Sequence, residues 1–137
     1  MRQILSIETT EALKVASAAL EAGAGRGHAL AVCVVDATGT PLILLRDDRA
    51  RLTTVEMAIN KAWTAAAHQR ATHELAAVVQ PGQPGFGANI QFGGRLSPLP
   101  GGLPIAVEGG VAGGIGVSGG DAETDIAAAR AGLAALG

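Results

Sequence analysis

Leu103-Pro-Ile-Ala-Val-Glu-Gly-Gly-Val-Ala-Gly-Gly-Ile-Gly-Val-Ser-Gly-Gly120 is the stretch that decides the fold. Two apolar runs of strand length, Leu103 to Glu108 and Val111 to Ser118, flank Gly109-Gly110, a dipeptide that reaches the positive φ of a tight hairpin turn without steric cost. Upstream the arrangement recurs. Ala29-Leu-Ala-Val-Cys-Val-Val-Asp36 and Pro41-Leu-Ile-Leu-Leu-Arg46 are joined by Asp36-Ala-Thr-Gly-Thr40, again turn chemistry. Around the two hairpins the apolar period changes from two to 3.6. From about Ile7 to Ala24, Leu13, Ala16, Leu20 and Ala24 share one helical face. Thr9 or Thr10 stands at its start, and Gly23, Gly25 and Gly27 stand at its end. A second helix is predicted from Thr53 to His68, a third from Thr72 to Val79 with Pro81 stopping it, and a last one from Asp121 to about Leu136. The order α-ββ-α-α-loop-ββ-α predicts an α+β fold, a central antiparallel sheet with helices packed on its faces, in one domain spanning residues 1–137.

Hydrophobic residues make up 48% of the chain but aromatics only 2%, so Ala, Val, Leu and Ile must build the core. Small side chains bury little area each, and such a chain gains from forming a homo-oligomer. The net charge is −2 and no basic run occurs, which disfavours nucleic acid as a partner. No apolar stretch approaches a membrane span, and Glu8 and Glu11 interrupt any leader-like run, so a cytoplasmic location is expected. Cys33, the only cysteine, lies in an apolar run and reads as a buried thiol.

Gly114-Ile-Gly-Val-Ser-Gly119 has the letters of a dinucleotide fingerprint. That motif needs a second strand bearing an acid some 20 residues on. The residues remaining before Gly137 are helical in pattern, and Asp121 would place a negative charge where pyrophosphate binds. Gly114 and Gly116 instead mark a strand face that a helix or a neighbouring subunit approaches closely. On the Thr53 helix, positions seven apart nearly eclipse, so Thr54, Lys61 and His68 form one stripe with Thr64 beside it. The stripe reads either as a solvated or subunit-facing surface or as a site where Lys61 and His68 bind an anion or move protons. The histidines His28, His68 and His73 lack metal-ligand spacing, so no structural metal is expected. Gln80 to Gly102 is a Gly/Pro-rich connection carrying Phe86, Phe92 and Arg95, long enough to carry function or cover a site.

Arg46-Asp-Asp, Lys61-Ala-Trp-Thr-Ala-Ala, Gly93-Gly-Arg-Leu, Pro100-Gly-Gly-Leu-Pro-Ile105 and Gly113-Gly-Ile-Gly-Val-Ser-Gly-Gly120 follow one another in an order that resembles the GlcG/HbpS family. The resemblance runs from the first helix to Leu136. It implies an antiparallel sheet of about five strands, the fifth coming from the Gly-rich connection around Arg95, and assembly into oligomers. It also implies a small-molecule ligand, with haem or another planar anionic molecule as the candidate. Lys61, Thr64, His68, Phe86, Phe92 and Arg95 are then the ligand-binding candidates. With no tyrosine in the chain, histidine, Met57, Cys33 and Lys61 remain as axial donors. The alternative is a cofactor-independent lyase, isomerase or cyclase, with Lys61 or His68 as acid or base and Arg95 orienting a carboxylate.

Overall fold

The computed structural model describes Met1–Gly137. Helix α1 (Thr9–Gly25) precedes strands β1 (Ala31–Asp36) and β2 (Pro41–Arg46), and α2 (Thr53–His68) follows them. After the long connection come β3 (Gly102–Val107), β4 (Gly110–Ser118) and α3 (Ala122–Ala134). The sheet has four strands in the order β2-β1-β4-β3, with every neighbouring pair antiparallel. The two hairpins thus join through β1 and β4, where Cys33 pairs with Gly116 and Val35 with Gly114.

Alternation along β1 and β4 sorts side chains by size between the two faces. Val32, Val34, Ile115 and Val117 point toward α1 and α3, and with Val15, Ala16, Leu30, Ile105 and Ala128 they form the larger core. Ala31, Cys33 and Val35 point the other way, against Ala58, Ala62 and Ala66 of α2. Both faces of β1 are covered, and Ala31 through Val35 are wholly inaccessible. Gly116 shows why the α2 face is built from small residues. A Cβ there would collide with Ala58 O and stand 3.0 Å from Lys61 Cβ. The sequence match to a dinucleotide loop is therefore a seat for helix α2, as the expected close approach requires. Cys33 lies under the same helix, and burial pushes its thiol up to about 12.

Several local expectations change. The expected fifth strand does not form. Around Arg95 the chain makes two short 3₁₀ turns, Ala88–Ile90 and Phe92–Gly94. Gly87, Phe92, Gly93 and Gly94 all have positive φ, which no strand accommodates in succession. The predicted helix Thr72–Val79 shortens to a 3₁₀ turn, Thr72–Leu75, and the chain folds back so that Gly85 N donates to Val78 O at 2.8 Å. On α1 the buried face is Ala12, Val15, Ala16, Ala19 and Gly23, while Leu13 is exposed. Small residues win that face because α1 must lie close to α3: a Cβ on Gly132 would stand 2.8 Å from Val15 O. Glu8, not Thr9 or Thr10, caps α1, with its amide donating to Glu11 Oε2 at 3.1 Å. No side chain caps α2, where Thr53 is already helical. No helix is long and apolar enough to cross a membrane.

Candidate functional site

At the carboxyl end of β4 a buried ion pair links α2 to α3. Lys61 projects from the middle of α2, and its side chain is 3% exposed. Its Nζ donates to Val117 O at 2.8 Å and to Asp125 Oδ2 at 3.3 Å. Asp125 stands in the first turn of α3, 6% exposed, and its Oδ1 accepts from Gly120 N at 2.8 Å. Burial pulls the Lys61 ammonium down from its ordinary value against the attraction of Asp125. Burial likewise pushes the Asp125 carboxyl up against the attraction of Lys61. Both shifts run toward the neutral forms, burial opposing the charges that each group's partner favours. Gly101, at φ +120, keeps the space clear, since a Cβ there would lie 3.2 Å from Lys61 Nζ.

An opening of about 210 Å³ leads to this pair. Arg51, Thr54 and Met57 line it from the start of α2, Leu99 and Pro100 from the end of the connection, and Gly120 from the turn before α3. In the sequence Asp125 is one more acid near the start of a helix. Its partner lies far away along the chain, so no local signal marks it as buried or paired.

The connection from Gln80 to Gly102 makes a second surface. Thr64 of α2 ties it down: its Oγ1 donates to Arg95 O at 3.2 Å and accepts from Ser97 N at 2.9 Å. Thr72 ties down its far end, where its Oγ1 accepts from Gly102 N at 2.9 Å. The Arg95 guanidinium lies 3.7 Å over the ring of Trp63, and Phe92 meets the same ring at 5.1 Å between centroids, tilted 57°. Phe92 is held at φ 56, yet its side chain is 62% exposed, and Phe86 is 65% exposed.

The six candidate residues therefore divide. Thr64, Phe92 and Arg95 come together on the connection, while Lys61 faces Asp125. His68 is exposed at the last residue of α2, two turns beyond Lys61, so the pair read from the helical stripe does not share one opening. Phe86 belongs to the same connection as Phe92 and is exposed like it. Among the other donors, Cys33 is sealed beneath α2, His28 and His73 are half-buried, and His73 Nδ1 is buried without a hydrogen-bond partner.

A four-stranded antiparallel sheet between one helix and a helix pair, with a Gly-rich connection strapped to the lone helix, defines a small α+β domain of layered type. Residues 7–134 match the family described as "Haem degrading protein HbpS-like", and the chain belongs to that family. The chain is 40% identical over 105 residues to corrinoid adenosyltransferase PduO of Citrobacter freundii. That match covers 77% of this chain and 31% of the relative, so the chain spans about a third of the length of that enzyme. Among solved structures, Klebsiella pneumoniae protein ORFY superposes with a TM-score of 0.96 at 32% identity, covering 99% of this chain and 94% of that one. A structure described as the PduOC:heme complex superposes with a TM-score of 0.91 at 35% identity, covering 96% and 95%.

Proposed function

We propose that this chain is a cytoplasmic, homo-oligomeric domain that binds haem or a closely related planar, carboxylate-bearing molecule. The observation that carries the reading is the likeness, along nearly the whole of both chains, to a domain solved as a haem complex. The connection supplies matching chemistry. Phe92 and Phe86 offer exposed aromatic surface, and Arg95 offers a cation already oriented by Trp63. Exposing an aromatic residue at positive φ is costly, and a ligand that covers Phe92 offsets that cost. Arg95 rather than Lys61 is placed to meet a carboxylate here, because Lys61 Nζ is committed to Val117 and Asp125. His68 is the exposed imidazole on the helix that carries Trp63 and Thr64, and it is the axial donor we assign.

The test is a hemin titration of purified apo-protein followed at the Soret band. A saturable shift is expected for the wild type. Arg95→Ala and Phe92→Ala should each weaken binding at least about tenfold, equivalent to roughly 1.4 kcal/mol. His68→Ala should move the Soret maximum, while His28→Ala and His73→Ala leave it in place. Unsaturable, broad absorbance with the wild type would refute haem binding. An unmoved maximum in His68→Ala would refute the axial assignment.

A further inference from the structure

Lys61, Asp125 and the opening above them are not used by a planar ligand on the connection. We propose that they form a second site, an amine centre that condenses reversibly with a small carbonyl compound bearing a carboxylate, of the 2-oxo acid class.

The geometry supports each part. Only two lysines occur in the chain, Lys14 and Lys61. Lys14 is exposed on α1, whereas Lys61 is 97% buried (3% exposed) yet lines an opening of about 210 Å³, enough for a molecule of a few heavy atoms and too small for a porphyrin. A lysine becomes nucleophilic when desolvation makes its neutral form accessible and a base stands ready to take its proton. Asp125 is that base, fixed by the Gly120 amide on one oxygen and by Lys61 on the other. A purely structural ion pair has no need of an opening, yet both Lys61 and Asp125 line one. Arg51, just before α2, lines the same opening. Its guanidinium suits a carboxylate, and a carboxylate held there leaves the carbonyl carbon to face Lys61.

The reaction balances within the pair. Lys61 passes a proton to Asp125, and its freed electron pair attacks the carbonyl carbon, forming a C–N bond as the carbonyl π electrons move to oxygen. That oxygen takes the proton from Asp125. The nitrogen then gives a second proton to Asp125, which delivers it to the hydroxyl. The hydroxyl leaves as water while the nitrogen electrons form the C=N bond. Lys61 has lost two protons and the departing oxygen has gained two, so the product is a protonated imine beside an Asp125 carboxylate.

Reductive trapping tests this on the folded chain. Pyruvate with cyanoborohydride should add one N-carboxyethyl group, mapped by peptide mass to Lys61 in preference to the exposed Lys14 and the amino terminus. Asp125→Asn, which retains an acceptor for Gly120 N, should cut the trapping rate at Lys61 at least tenfold. Arg51→Ala should raise the pyruvate concentration for half-maximal trapping at least fivefold and leave trapping of propanal, which lacks the carboxylate, unchanged. Circular dichroism of each variant verifies that it is folded. Modification of Lys14 and the amino terminus with Lys61 untouched would overturn the proposal, as would a folded Asp125→Asn variant that traps at the wild-type rate. Hemin binding is read separately, so failure here leaves the haem reading intact, and the reverse also holds.

Discussion

Lys61 behaves in the structure as no helical wheel would predict. Its stripe also holds His68, but one residue is buried against Asp125 and the other is exposed, so their substitutions should differ. Lys61→Ala removes one partner of a buried pair and leaves Asp125 alone, a change that typically costs about 3–5 kcal/mol. The cost should depend on pH. Burial raises the folded-state pKa of Asp125 and Lys61 opposes that rise, so removing Lys61 raises it further. The variant then gains from a bound proton below that pKa and loses the gain as pH rises through it. Denaturant melts of Lys61→Ala should therefore show a deficit that is smaller near pH 5 than near pH 8. His68→Ala should stay within about 0.5 kcal/mol of wild type at both, as exposed substitutions do. Equal deficits at the two pH values would show that the loss comes from packing and not from an orphaned carboxylate.

At the scale of elements, the decisive contact is α2 on β4. Gly116 meets the α2 backbone itself, and a backbone cannot rotate away as a side chain can. Gly116→Val should cost about 3 kcal/mol, at the upper end for overpacked cores. Because Lys61 Cβ is the neighbouring atom, the same variant should also displace the lysine from Val117 O and slow reductive trapping. Thermal melting and trapping measured on one sample check both effects, and an unchanged melting temperature would mean that α2 yields more readily than its seat suggests. Helices α1, α2 and α3 and both hairpins were legible from period and punctuation, whereas the helix expected over Thr72–Val79 was not formed beyond a 3₁₀ turn. Helix α2 occupies the predicted Thr53–His68, and both hairpins turn at Asp36–Thr40 and Gly109-Gly110. The connection was not legible in the same way. Its glycines permit many conformations, and the one it adopts is chosen by Thr64 and Thr72 reaching across from other elements.

For the molecule as a whole, the sheet leaves two open edges, β2 and β3, and several large apolar side chains face outward, including Leu52 at 83% and Ile90 at 71% exposed. Exposed apolar surface of this kind favours association, and light scattering at micromolar concentration should report at least two subunits. A single-subunit mass would refute the oligomeric reading. Ile90→Ser and Leu52→Ser should lower the assembly mass without changing the melting profile of the subunit, since neither side chain belongs to the core.

The sequence alone determined the α+β class, the two hairpins, the helical layers and the family, because each is written in local periodicity, turn residues and the order of short motifs. It also pointed to close packing by the glycines of β4, since Asp121 stands where a pyrophosphate would bind, and the α2 backbone against Gly114 and Gly116 bears that out. The tertiary structure alone decided that the sheet stops at four strands and that α1 buries its alanines in place of Leu13. It alone decided that Lys61 answers to Asp125 and that Arg95 lies over Trp63. The physical reason is common to these cases. Periodicity records which face of an element is apolar, but a charge's partner, a helix's closest approach and a loop's path depend on atoms that meet only after distant elements have docked.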